Sequence, residues 1–287
     1  MKNRSTLTLI LLCLCFVVSP VFTLMGCSSN VQSEVAIIPP TDAETEEDNL
    51  DDSDGNAPDN DGDSFIESSP PPDTKKTYVR SKVDGLNIRS AKSASSIAVG
   101  SINKNDMVPL LGTENGWYKT TYKGKTAYLS ASSAYTELYK VEKSASDKIE
   151  KVMEIGEKYL GTKYVYGATR LHNGKGKFLS GFKDTAFDCS SFVQYAYYYG
   201  ADVLLNLTTR TQVSQGQAVN GVKNMKRGDL MFFTNAQRYY NTGVERIGHV
   251  AIYLGDNYIL HTAYDYAVIE PISTTRWNYL LYIRRHV

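Results

Sequence analysis

Cys189 is the only cysteine beyond residue 27, and it directly follows Asp188, a natural helix N-cap. Its thiol is therefore expected in the first turn of a helix. A helix N-terminus favours anions, and so favours thiolate over thiol. A neighbouring imidazole would complete such a nucleophile, first as general base and then as general acid for a leaving amine. The chain has four histidines, and two of them, His249 and His261, stand twelve residues apart in strand-like segments. Alternation puts His249 on the face opposite Val250, Ile252 and Leu254. His261 belongs to the following strand, from which it could hold the ring of His249 as the third member of a triad does. Taken singly, a buried cysteine and two sheet histidines are more often structural. The only body thiol at a helix start, together with two paired strand histidines, favours acyl transfer through a thioester.

The elements that must position these groups can be read from periodicity. Ser146, followed by Asp147 and Glu150, suits a helix N-terminus. Ile149, Val152, Met153, Tyr159 and Leu160 form its apolar stripe, and Gly161 suits its C-terminal cap. A second helix begins at Asp188, buries Phe192, Val193, Ala196 and Tyr197, and ends at Gly200. Strands are expected over 229–234, 249–254, 258–262, 268–272 and 279–284. Helices followed by strands imply an α+β domain with a mainly antiparallel sheet, spanning 144–287. Residues 76–140 read differently, as short alternating segments at Leu86 and Ile88, 97–100, 107–111, 117–120 and 127–129. Asn115-Gly116 and Lys123-Gly124 mark hairpins, so a small all-β barrel is expected there. The connection between the two parts is short. The β module should pack against the second domain and narrow one end of its cleft, while residues from 144 onward should still fold alone.

The 31 basic and 31 acidic residues of the 287 conceal an asymmetry. Residues 31–75 carry 14 acids against Lys75 alone, and residues 76–287 carry 28 Lys and Arg against 17 Asp and Glu. The positive charge is scattered and forms no basic run interleaved with aromatics, so no nucleic-acid partner is expected. A single body thiol leaves no internal disulfide framework and no Cys-based zinc site. Residues 27–75 read as a disordered acidic linker with too few apolar side chains to offset backbone ordering, reaching roughly 40 Å as a coil. A calcium loop beginning at Asp59 would need Gly and Glu where Ser64 and Pro70 stand, so no metal is expected. Residues 1–26 have the form of a secretory signal, with Lys2 and Arg4 before an apolar run from Leu7 to Val18. Leu24-Met25-Gly26-Cys27 resembles the bacterial lipobox, which implies a lipidated Cys27, export, and attachment to the bacterial membrane facing the cell wall or periplasm.

Further resemblances attach to particular runs. Gly85-Leu86-Asn87-Ile88-Arg89-Ser90, Asn115-Gly116-Trp117-Tyr118-Lys119 and Gly124-Lys125-Thr126-Ala127-Tyr128-Leu129 resemble the bacterial SH3-like domain. Phe187-Asp188-Cys189-Ser190-Ser191-Phe192-Val193-Gln194-Tyr195 resembles the nucleophile motif of the NlpC family of cell-wall cysteine peptidases. Gly161-Thr162-Lys163-Tyr164-Val165-Tyr166-Gly167, Arg227-Gly228-Asp229-Leu230-Met231-Phe232-Phe233 and the two histidine strands resemble the same family, in its order. That resemblance implies a papain-like fold and a cysteine endopeptidase that needs no cofactor. It implies cleavage of peptidoglycan stem peptides, typically at the D-γ-glutamyl–diamino acid bond. It also implies Cys189 as nucleophile, His249 as base, His261 as orienting residue, and Tyr164, Asp188 and Ser190 as substrate-lining residues. Two alternatives are a catalytically silent wall-binding lipoprotein and an amidase cutting between sugar and peptide. The sequence departs from the family pattern at Gly167-Ala168 and Ser190-Ser191, and in an insertion over 168–186. That insertion carries Arg170, His172, Lys175, Lys177 and Lys183; a basic loop there could border the cleft and meet substrate carboxylates, but it reads more readily as a solvated surface loop with His172 exposed.

Overall fold

The computed structural model describes residues 73–287. The signal segment, Cys27 and nearly all of the acidic linker lie outside the described residues. Among the described residues, no helix is long and apolar enough to cross a membrane.

Eight strands come first: β1 (Lys75–Ser81), β2 (Leu86–Arg89), β3 (Ala98–Ile102), β4 (Met107–Pro109), β5 (Gly112–Glu114), β6 (Trp117–Tyr122), β7 (Lys125–Ser130) and β8 (Thr136–Glu142). Then follow α1 (Asp147–Lys158), β9 (Lys163–Tyr164), β10 (Ala186–Phe187), α2 (Cys189–Ala201), α3 (Thr209–Gln212) and β11 (Gln217–Ala218). The chain closes with β12 (Leu230–Phe233), β13 (His249–Gly255), β14 (Tyr258–Ala263), β15 (Tyr266–Pro271), α4 (Thr274–Tyr279) and β16 (Leu280–Arg285). Asn115 and Gly116 at the β5–β6 turn, and Lys123 and Gly124 at the β6–β7 turn, all take positive φ. This is the conformation a two-residue hairpin demands, and it is why those pairs were legible.

The β module does not close on itself. Strands β3-β2-β7-β6-β5 form one sheet, while β1, β4 and β8 join the sheet of the second domain in the order β11-β16-β12-β13-β14-β15-β4-β1-β8. The seam is the antiparallel pairing of β15 with β4, Ile269 opposite Met107. One core cluster runs through both parts, containing Tyr78, Ile88, Met107 and Leu129 together with Val152, Phe192, Val250, Ile252 and Leu260. A second cluster on the other face of the sheet gathers Met231, Phe233, Ala251, Ile259 and Ile272.

Helix α2 ends one residue beyond its expected stop, with Asp202 in the left-handed conformation. Gly200 is not its cap. A Cβ there would strike the backbone of Val152, so Gly200 lets α1 and α2 cross closely. The segment over 168–186 also differs from expectation. His172 is fully buried, because a bridge between His172 and Phe178 folds the loop on itself and Gln194 Nε2 donates to the His172 carbonyl at 3.2 Å.

A buried polar network ties the two parts together. The Tyr78 hydroxyl donates to Glu157 Oε1 at 2.7 Å and accepts from Arg227 Nη2 at 3.0 Å. Lys76 Nζ meets Glu157 Oε2 at 2.7 Å, and Arg227 Nε meets Glu150 Oε1 at 2.6 Å. Residues 144–287 alone would strand Glu157, which is buried, without Lys76 and Tyr78. This counts against the expectation that they fold independently. Tyr78→Phe should cost the full chain about 1–3 kcal/mol, because it leaves two buried charged groups short of a partner. Denaturant midpoints at constant slope measure it, and an unshifted midpoint would remove this network from the account of how the modules hold.

Candidate active site

Antiparallel register fixes the centre of the site. In the β13–β14 ladder Ile252 stands opposite Leu260, which sets Ala251 opposite His261 and makes His249 its diagonal neighbour on the same face. In the β14–β15 ladder Ile259 stands opposite Glu270 and His261 opposite Val268, so Glu270 is diagonal to His261 in turn. Three strands thus carry one continuous line. His249 Nε2 lies 2.8 Å from His261 Nδ1, and His261 Nε2 lies 3.0 Å from Glu270 Oε1. Arg276, in α4, donates to the same carboxylate oxygen from Nη2 at 2.8 Å and Nε at 3.1 Å.

This line determines where the protons sit. Burial disfavours ionisation of Glu270, but His261 and then Arg276 outweigh it and hold the carboxyl down to about 2. A carboxylate only accepts, so His261 donates from Nε2 and its Nδ1 is the acceptor. His249 must then donate from Nε2, which leaves Nδ1 of His249 as a lone pair available as a base. Burial, with the nearby His261 and Arg276 charges, keeps His249 well below the usual imidazole range. Burial also lowers His261, partly offset by its hydrogen bond to Glu270.

Cys189 begins α2 as expected, and its cap is fully formed. Asp188 Oδ1 accepts from the Ser191 N–H at 2.8 Å, and Ser191 Oγ accepts from the Asp188 N–H at 2.9 Å. The thiol is buried, and the backbone N–H groups of Val250 and Ser190 favour its ionised form. Val250 is the strand residue that follows His249. Tyr164 approaches from β9, and burial followed by the Cys189 and Asp188 charges pushes its phenol up to about 12. The structure therefore brings His249 and His261 together with Glu270, and sets Tyr164 close enough to Cys189 for their charges to interact. Asp188 and Ser190 also flank the thiol, but their side chains are buried and used internally: Ser190 Oγ donates to Asp188 Oδ1 at 2.9 Å, and Asp188 Oδ2 pairs with Arg170 at 2.6 Å.

The thiolate expectation needs correction. Burial first, then the Asp188 charge, push Cys189 up to about 12, against the Val250 and Ser190 N–H bonds and the Arg170 charge. Dehydration outweighs the helix N-terminus here. Burial thus disfavours charge on Cys189 and on His249 alike.

Sequence reasoning missed Glu270, Arg276 and Arg170. Glu270 was recoverable by hairpin arithmetic: a turn at Tyr264-Asp265 sets Glu270 one diagonal step from His261. Arg170 had no such signal, since its contacts are set by loop path. Among the described residues, no group of three or more His, Cys, Asp or Glu side chains has metal-binding geometry.

Comparison with known proteins agrees with these motifs. Residues 161–285 match the NlpC/P60 family and residues 84–136 match the bacterial SH3 domain. A peptidoglycan DL-endopeptidase, CwlO, from Bacillus licheniformis is 35% identical over 116 residues, covering 40% of this chain and 24% of that protein. A γ-D-glutamyl-L-lysine dipeptidyl-peptidase from Bacillus subtilis is 27% identical over 173 residues, covering 60% and 50%. The chain thus spans between a quarter and half of these relatives' length. Among solved structures, an NlpC/P60 family protein from Bacillus cereus is 21% identical, with a TM-score of 0.38 over 73% of this chain and 63% of that one.

Glu270→Gln keeps an acceptor for His261 but removes its charge. Turnover should fall about tenfold with KM nearly unchanged, a fraction of what a positioned base contributes. The carboxyl is depressed in the folded state, so its contribution to stability is present above the ordinary value of 4.5 and is lost as pH falls toward about 2. Thermal midpoints of wild type should drop across that window, and those of Glu270→Gln should drop less. Parallel curves for the two proteins would contradict this role for the carboxylate.

Proposed function

For a chain that carries an NlpC/P60 domain over residues 161–285 and a bacterial SH3 domain over residues 84–136, we propose a cysteine endopeptidase acting on peptidoglycan stem peptides, at the bond between D-γ-glutamate and the following diamino acid. The observation that carries this reading is the hydrogen-bonded line from Glu270 through His261 to His249, on the strand whose next residue, Val250, acts through its N–H on the Cys189 thiol. The names of the relatives, a peptidoglycan DL-endopeptidase and a γ-D-glutamyl dipeptidyl-peptidase, support the substrate class.

His249 takes the Cys189 proton as the sulfur attacks the scissile carbonyl, and the imidazolium that forms is stabilised through His261 by the Glu270 carboxylate. The Cys189 N–H, at the first position of α2, and the Tyr164 hydroxyl are the donors assigned to the oxyanion. The imidazolium returns its proton to the leaving amine, and a thioester on Cys189 remains. Water, deprotonated by His249, then releases the acyl half as a carboxylic acid. As part of the same proposal, the chain is exported and lipid-anchored through Cys27, and the acidic segment after it gives the enzyme reach.

Cys189→Ala should abolish cleavage of L-Ala-D-γ-Glu-diamino-acid peptides while the protein stays folded. His249→Ala should be nearly as severe, since groups acting as one unit do not lose activity additively. His261→Ala should retain measurable activity, because it orients without reacting. Mass spectrometry of muropeptides reads the bond cut. Release of intact peptide from sugar would replace the endopeptidase reading with the amidase, and wild-type cleavage by Cys189→Ala would end the mechanism.

Anchoring has its own test. Cys27→Ala should move the processed protein from the membrane to the soluble fraction. A mature-size product that stays on the membrane would refute lipidation at Cys27.

A further inference from the structure

The segment over 168–186 read as solvated charge, yet one of its side chains enters the site. Arg170 is largely buried, with 17% of its side chain exposed, and it is held on four sides. Its Nε donates to the Leu207 carbonyl at 2.9 Å and its Nη1 to the Ala168 carbonyl. Its Nη2 donates to Asp188 Oδ2 at 2.6 Å and to Ser190 Oγ at 3.0 Å. One guanidinium nitrogen therefore bridges the residues immediately before and after Cys189.

We infer that Arg170 is a positioning residue for the nucleophile: it offsets the charge of the Asp188 cap beside Cys189 and locks the first turn of α2, so that the thiolate can form. The inference rests on the reading of Cys189 as nucleophile. An N-cap carboxylate organises the helix start, but its negative charge opposes a second anion on the next residue. Asn would cap without that charge, whereas here Asp is kept and neutralised by a planar guanidinium whose fork also bonds two carbonyls. The groups acting on the thiol are Asp188 on its own chain segment, Tyr164 from β9, the Ser190 and Val250 N–H groups, and Arg170. Of the charges acting directly on the thiol, Arg170 is the one cation, and it acts to lower the thiol's proton affinity. Lys175, Lys177 and Lys183 of the same segment play no part in this arrangement.

The test uses the full chain, with alkylation of Cys189 by iodoacetamide followed against pH by peptide mass spectrometry, beside thermal midpoints and kcat on stem peptides. Arg170→Met should move the alkylation profile up by about one pH unit, which makes alkylation about tenfold slower on its rising limb. Asp188→Asn in the Arg170→Met background should return most of that shift, because Asn caps without charge. Arg170→Lys, which keeps the charge but not the fork, should shift the profile less than Arg170→Met and guards against a variant that merely unfolds. A lower thermal midpoint with an unmoved profile in the Met and Lys variants would reduce Arg170 to a structural role and overturn the inference. The functional reading fails separately. Wild type that does not cut stem peptides, but whose thiol profile follows Arg170 as described, would leave the positioning role standing and discard the substrate.

Discussion

One carboxylate sets the chemistry of this fold. Glu270 is kept ionised by Arg276 and His261, and as a pure acceptor it dictates the tautomer of His261 and, through it, that of His249. The free lone pair of His249 is thus a consequence of a charge two strands away. The constraint beneath it is register. A slip of one residue in either the β13–β14 or the β14–β15 ladder would turn one member of the line to the opposite face. The apolar alternation that buries Val250, Ile252 and Leu254 in one cluster and Ala251 and Ile259 in the other is what prevents that slip.

The same line reaches into the β module. Because Met107 stands opposite Ile269, the adjacent residues Asp106 and Glu270 face each other across the seam of β4 and β15. Two carboxylates opposed on a ladder do not both ionise cheaply. Glu270 has His261 and Arg276 to stabilise its charge. Asp106 has burial against it, the charges of Glu270 and Asp84 besides, and only the Asn103 N–H in its favour, so it is pushed up to about 7. The asymmetry favours the negative charge on Glu270 over Asp106. The module thus sets a carboxyl group directly against the His249–His261–Glu270 line.

Much of this was legible from residue pattern. The helix start at Asp188, the two histidine strands and the paired hairpin turns all depend on local chemistry: a cap, an alternation, a positive φ. The boundaries held to within a residue or two in β12–β16, where β12 and β14 are fully buried and β13 mostly so. What escaped depends on long-range placement. The strands β1 and β8 carry mixed residues such as Lys76, Tyr78 and Tyr139, because they serve a shared sheet and a polar network instead of one apolar face. Gly200 resembled a terminator and is a crossing point. Arg170 and His172 resembled solvent-facing loop residues, and nothing within 168–186 says that the loop folds back onto α2.

The opposition between burial and dipole at Cys189 gives the site its character. A helix N-terminus alone would yield a standing thiolate, reactive toward any electrophile. Here dehydration holds the thiol neutral, and the imidazole is held neutral for the same reason. In the proposed mechanism each cost is partly offset when both groups charge together, since their mutual attraction would return some of what each loses in hydration. Proton transfer from Cys189 to His249 in that mechanism would be one coupled event, assisted by whatever stabilises either end. Glu270 acts on the imidazolium through His261, and Arg170 acts on the thiolate by offsetting Asp188. The two supports come from opposite sides of the chain, one from a strand hairpin and one from an insertion. They converge on a pair that burial alone would keep silent.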